Sequence, residues 1–150
     1  MSEHDAIPRP ALITGLLALL PFPVLLILIW VPQSAVPSDR LVPAFLSYAA
    51  VVLALLGGAH WALVAGPYGR ARIAAEGLIG LAVLFASWLA LISPAHFGLS
   101  LLIAAFFLLA LRDALMAEAS GMPPWFARLQ SYITAAAIVT SILVLIRIIT

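Results

Sequence analysis

The sequence predicts an all-α integral membrane protein, a bundle of five transmembrane helices. Two observations carry that prediction. Of the 150 residues, 65% are hydrophobic and only 9% charged, whereas a soluble domain is nearer half apolar and about a quarter charged. The apolar residues also fall into five runs of about 20, the length that crosses roughly 30 Å of hydrocarbon. By length the chain is one domain, residues 1–150. The net charge is +1, and all seven basic residues are arginines. So weak and scattered a field excludes a nucleic-acid partner. There is no cysteine, which removes disulfides, iron–sulfur clusters and thiol chemistry.

Residues 1–10 place two acids and one arginine before the first apolar run. A secretory signal opens with positive charge, and a mitochondrial transit peptide is rich in arginine and poor in acids. The first run is therefore expected to be retained. A bacterial cytoplasmic (inner) membrane is the expected home, with the mitochondrial inner membrane as the alternative.

The first span is expected at about residues 11–30. Pro21 and Pro23 remove two backbone donors there and crowd the carbonyls of Leu17 and Leu19, so a kink is expected. Neighbouring helices can cover the freed carbonyls. A loop rich in Pro and Ser follows, over residues 31–40. The second span is expected at about 42–65, with Pro43 in its first turn and Gly66-Pro67 closing it. A short basic loop from Tyr68 to Arg72 leads to the third span, about 74–92. The turn Ser93-Pro94-Ala95-His96 is so short that the third span and the fourth, about 97–116, must form a tight antiparallel hairpin. Gly121-Met122-Pro123-Pro124 stops any helix. Trp125 and Phe126 then open the fifth span, about 124–149, at the position of a membrane's aromatic belt.

Arginine placement gives the threading. Arg9, Arg70, Arg72, Arg112 and Arg128 flank one side, and Arg40 and Arg147 the other. The positive-inside rule puts the N-terminus in the cytoplasm and the C-terminus outside.

The residues of most interest cluster in the second span, Tyr48-Ala-Ala-Val-Val-Leu-Ala-Leu-Leu-Gly-Gly-Ala-His-Trp61. Gly57 and Gly58 fall near one face with Ala50, Ala54 and Trp61 by i, i+3/i+4 spacing. Small residues so spaced let another helix approach, or leave a slot for a flat ligand or lipid tail. His60 is the one histidine inside a span, which makes it a candidate for ligand contact or proton handling. The alternative is a structural imidazole with one hydrogen bond. Consecutive helix residues point about 100° apart, so either His60 or Trp61 should face the bundle and the other its edge. His4 in the tail and His96 at the opposite end cannot join His60 around one haem within a single chain. Neither cofactor nor metal is expected.

Tyr68, Arg70, Arg72, Glu76, Arg112, Asp113, Glu118, Trp125 and Arg128 are expected to form a polar rim on the cytoplasmic side. Asp113 would pair there with Arg70, Arg72 or Arg128, and the rim could serve a lipid headgroup or a partner. All six acids are expected at ends or in loops, which leaves His60 no acidic partner within the bilayer. No Ser–His–Asp arrangement, H-E-x-x-H or phosphate loop occurs, so no enzyme is expected.

The stretch from Tyr48 to Trp61 resembles the Tyr-Gly-Ala-(apolar)-Leu-Gly-Gly-x-His-Trp-Gly run of the domain-of-unknown-function 3429 family, the transmembrane protein 69-like small membrane proteins. Gly15-Leu-Leu-Ala-Leu-Leu-Pro-Phe22 agrees with it, as does Asp113 followed by Pro124-Trp-Phe-Ala-Arg-Leu129. Ala49 and Ala62 stand where that run has glycine. The resemblance covers nearly the whole chain. It implies a five-helix bundle of bacterial and mitochondrial membranes with no established activity. The expected function is a non-enzymatic accessory, assembly or scaffold protein that meets membrane lipids and a larger complex, or a second copy of itself, through the second helix. The alternative is a binder or carrier of an apolar ligand such as a quinone, lipid or tetrapyrrole. The candidate binding residues are Tyr48, Gly57, Gly58, His60, Trp61, Arg70, Arg72, Asp113, Trp125 and Arg128.

Overall fold

The computed structural model describes residues 7–31, 37–64, 70–115 and 124–150. The described residues form helices α1 (Arg9–Leu19), α2 (Pro21–Trp30), α3 (Ser38–Val64), α4 (Arg70–Ile92), α5 (Ala95–Leu115) and α6 (Pro124–Ile149), and no strand. Helices α1 and α2 run on across Leu20 as one span of 22 residues, Arg9–Trp30. With α3 to α6 they make five helices long and apolar enough to cross a membrane. The chain is a multi-pass membrane protein. His4, most of the first loop, Tyr68, Glu118 and the Gly121-Met122-Pro123 stop lie outside the described residues.

The break at Leu20 is the expected proline kink. Pro21 has no N–H to give Leu17, whose carbonyl accepts instead from the N–H of Leu20 at 3.3 Å. Tyr48 of α3 donates its hydroxyl to the Ala18 carbonyl at 2.6 Å. Its ring meets Phe22 edge-on, 5.3 Å between centroids. A polar backbone group in hydrocarbon needs such a partner, so Tyr48 braces the kink from the neighbouring helix.

Helix α3 is the central element. Half of its span is buried, against 17% to 28% for the other four. It packs on α2, α4, α5 and α6. Phe45, Ala49, Leu53 and His60, one or two turns apart on one stripe, are fully buried. Phe22, Leu99, Leu102 and Phe106 fill the core beside them. The helix starts at Ser38, earlier than the hydropathy boundary at residue 42, because backbone bonding continues where side chains turn polar. Pro43 therefore lies in the second turn, and the carbonyl it leaves unpaired belongs to exposed Asp39. Helix α4 likewise starts at Arg70 and α5 at Ala95.

The hairpin of α4 and α5 is tight. The Gly98 N–H bonds the Pro94 carbonyl at 2.8 Å, and a Cβ at Gly98 would collide with the Ala90 carbonyl.

The expected small-residue face divides in two. A Cβ at Gly57 would come within 2.7 Å of Val83 Cγ1, and the Trp61 indole lies against Gly80. Gly57 and Gly80 thus let α3 and α4 form the most extensive helix pair of the bundle. Gly58, one residue on and about 100° round the helix, has nothing within 4 Å of its Cβ position. The two glycines do not serve one neighbour.

Candidate functional site

Alternating helix direction brings the C-terminal ends of α3 and α5 together with the N-terminal ends of α4 and α6. His60 lies a turn before the end of α3, Glu76 in the second turn of α4, Arg112 and Asp113 in the last turn of α5, and Gln130 in the second turn of α6. All five side chains meet inside the bundle at that end.

The imidazole is the centre of the cluster and is fully buried. Its Nδ1 is 2.9 Å from Glu76 Oε2 and 3.0 Å from Arg112 Nη1. Its Nε2 is 3.5 Å from Asp113 Oδ1 and makes no hydrogen bond. Arg112 donates to Glu76 Oε1 at 2.5 Å and to Asp113 Oδ1 at 3.1 Å, so one guanidinium joins carboxylates from two helices. Gln130 donates its amide to Asp113 Oδ2 at 2.6 Å. Glu76 is nearly as sealed as His60, with 5% of its side chain exposed, whereas Asp113 and Arg112 keep 20% and 25%. The cluster is therefore closed on the bundle side and opens past Asp113 and Arg112. Arg112 also sits in the last turn of α5, where a cation is favoured by the helix dipole.

This arrangement corrects the expected polar rim. Glu76 is 4% exposed and lies within the span Ala74–Ile92. Proximity to a helix end had suggested solvent, yet His60 of α3 and Arg112 of α5 cover the Glu76 carboxylate there. His60 thus has acidic partners on both ring nitrogens, contrary to expectation. Asp113 accepts from Arg112 and Gln130, two partners not expected for it. Arg70 and Arg72 stand in the first turn of α4, and their side chains lie outside the described residues. Arg128 is exposed near the start of α6. Trp61 turns to the bundle edge, 53% exposed, while His60 turns inward, as the 100° offset requires. Tyr48 lies about 18 Å along α3 from His60 and takes no part in the cluster.

A groove of about 640 Å³ runs beside the cluster between α1, α3 and α6. Thr14 and Gly15 line it from α1, Leu55 and Gly58 from α3, and Trp125, Phe126 and Gln130 from α6. Gly58 and the largely exposed Leu55 put its mouth on the lipid-facing surface. Gln130 connects groove to cluster, since the same residue lines one and hydrogen-bonds the other. The hydroxyl of Thr14 is satisfied by the Pro10 carbonyl at 3.0 Å.

The sequence expectations overlooked Gln130, and placed Glu76 and Arg112 in the polar rim without counting them among the candidate binding residues. Glu76 and Gln130 carry a helical signal. Glu76, Gly80 and Val83 share one face of α4 at i, i+4, i+7, the face that meets α3. Gln130, Thr134, Ala137, Ser141 and Val144 form a buried stripe on α6. A polar residue on an otherwise interior stripe marks a buried polar contact.

The family model described as "Protein of unknown function (DUF3429)" matches residues 7–146. No curated protein and no solved structure matches the chain.

Proposed function

The chain belongs to the DUF3429 family, and on that premise we propose that it is a non-enzymatic membrane protein that holds an amphipathic, quinone-like or lipid-like molecule. The apolar body of the ligand would lie in the groove between α1, α3 and α6. Its uncharged hydrogen-bonding end would meet Gln130. The supporting observation is a groove that runs from the lipid-facing surface at Gly58 to an amide tied into a buried charged cluster. Its volume falls in the ordinary range for ligand sites, about 300–1,000 Å³. A tetrapyrrole metal suits it less, because His60 is sealed away from the groove and faces carboxylates.

Such a binder is consistent with an accessory or assembly role beside a larger membrane complex or a second copy of the chain. The bacterial cytoplasmic membrane is its proposed home, and the mitochondrial inner membrane the alternative. The test is mild-detergent purification from the native membrane, with mass spectrometry of extracted small molecules and copurifying proteins. A stoichiometric lipophilic ligand present in the wild type and lost in Gly58→Leu supports the reading. Equal small-molecule content in both proteins defeats it.

A further inference from the structure

We propose that His60 and Glu76, with Asp113 and Arg112, form a proton-binding site inside the bundle. It holds one proton more than a neutral imidazole and two carboxylates would carry. This inference is independent of the ligand groove.

The hydrogen-bond geometry leads to it. Arg112 can only donate, and its Nη1 faces His60 Nδ1 while Glu76 Oε2 faces the same atom. A single ring nitrogen cannot accept from one and donate to the other at once. If only Nδ1 carries hydrogen, it satisfies Glu76, and the bare Nε2 turns a lone pair toward Asp113 at 3.5 Å. If only Nε2 carries hydrogen, it points at Asp113, and Nδ1 meets the Glu76 carboxylate acceptor to acceptor at 2.9 Å. One additional proton on the line between Nδ1 and Oε2 removes both conflicts, and Arg112 Nη1 then donates to Asp113 Oδ1 at 3.1 Å rather than to Nδ1. It makes either an imidazolium facing a carboxylate or an imidazole facing a carboxylic acid. In both forms each ring nitrogen has a carboxyl partner.

Charge counting points the same way. With a neutral imidazole and both acids ionised, Arg112 is one cation against two anions. An uncompensated charge at a sealed position in a bilayer is expensive. Among these four side chains the additional proton balances the charges. The charged groups facing His60 are Glu76 from α4 and Arg112 and Asp113 from α5, while α6 contributes Gln130 through Asp113. Among the described residues no charged side chain of α1 or α2 contacts it. The partly exposed Asp113 stands between Nε2 and the open edge. Protons therefore exchange through Asp113 to Nε2, and only N–H and O–H bonds form and break.

The test is nitrogen-15 NMR of histidine-labelled protein in nanodiscs at neutral pH, with His60→Gln assigning the signal. The wild type should show His60 protonated at Nε2, with Nδ1 protonated or sharing hydrogen with Glu76. Glu76→Gln removes one negative charge and supplies an amide donor, so its His60 should keep Nε2–H and show a bare Nδ1. Raising the pH should lower the unfolding midpoint of the wild type as the proton leaves, and this step should vanish in Glu76→Gln. Should that variant fail to insert, Asp113→Asn makes the comparison with the opposite tautomer, Nδ1–H and a bare Nε2. A wild-type His60 with a bare Nε2 at neutral pH, or the same alkaline step in the charge-removing variant, overturns the proposal.

Discussion

At the scale of single residues, His60 and Trp61 show how one helical step separates two environments. The imidazole meets two carboxylates and a guanidinium, and the indole meets Gly80 and the bundle surface. Removing one partner of a buried ionic group costs more than one ordinary hydrogen bond, because the other partner stays behind unsatisfied. His60→Ala is expected to destabilise the protein by about 3 kcal/mol. Trp61→Phe, at a half-exposed position, should stay within about 1 kcal/mol. Denaturant or thermal unfolding in detergent measures both. An Ala variant as stable as the wild type would show that water replaces the imidazole.

At the scale of elements, two contacts set how α3 meets its neighbours. Gly57 leaves no space beside Val83, whereas Gly58 opens on the groove. Gly57→Leu should force α3 and α4 apart and cost about 2 kcal/mol. Gly58→Leu should fill the groove with a change in stability of about 0.5 kcal/mol or less. Equal losses in thermal unfolding would contradict the division of the two faces. The kink between α1 and α2 depends on Tyr48. Tyr48→Phe keeps the ring contact with Phe22 but removes the donor to Ala18, an expected loss of about 1 kcal/mol. Hydrogen exchange should rise around Leu20 and stay unchanged in α5 if that bond is the brace.

At the scale of the whole molecule, five spans put the two ends of the bundle on opposite sides of the membrane. The buried cluster lies at the end where Arg9, Arg112 and Arg128 also lie. The positive-inside rule predicts that this is the cytoplasmic end. A reporter active only outside the cytoplasm should give signal when fused to Thr150 and none when fused after Arg72. The reverse pattern would invert the molecule and put proton exchange at Asp113 on the outer side.

The membrane-spanning architecture was legible because it depends on local quantities. Run lengths near 20 apolar residues, the prolines at 21 and 23, and the four-residue turn at Ser93 each act within a few residues of themselves. The resemblance around Gly57-Gly58-Ala59-His60-Trp61 agreed with the family match for the same reason. Helix ends were set less well, since hydropathy marks where lipid stops and not where backbone hydrogen bonds stop. The sequence by itself determined that His60 and Trp61 must part and that the first span must be interrupted around Pro21 and Pro23, because helical geometry settles both. Only the tertiary structure decided that Glu76, Arg112, Asp113 and Gln130 enclose His60. The contacts with His60 span 16 residues for Glu76, 52 for Arg112 and 53 for Asp113, and no local property records which helix faces which. Solvent exposure at a helix end is likewise a property of the neighbours, so the same positions could be a polar rim in an open bundle and are a sealed charged cluster in this one.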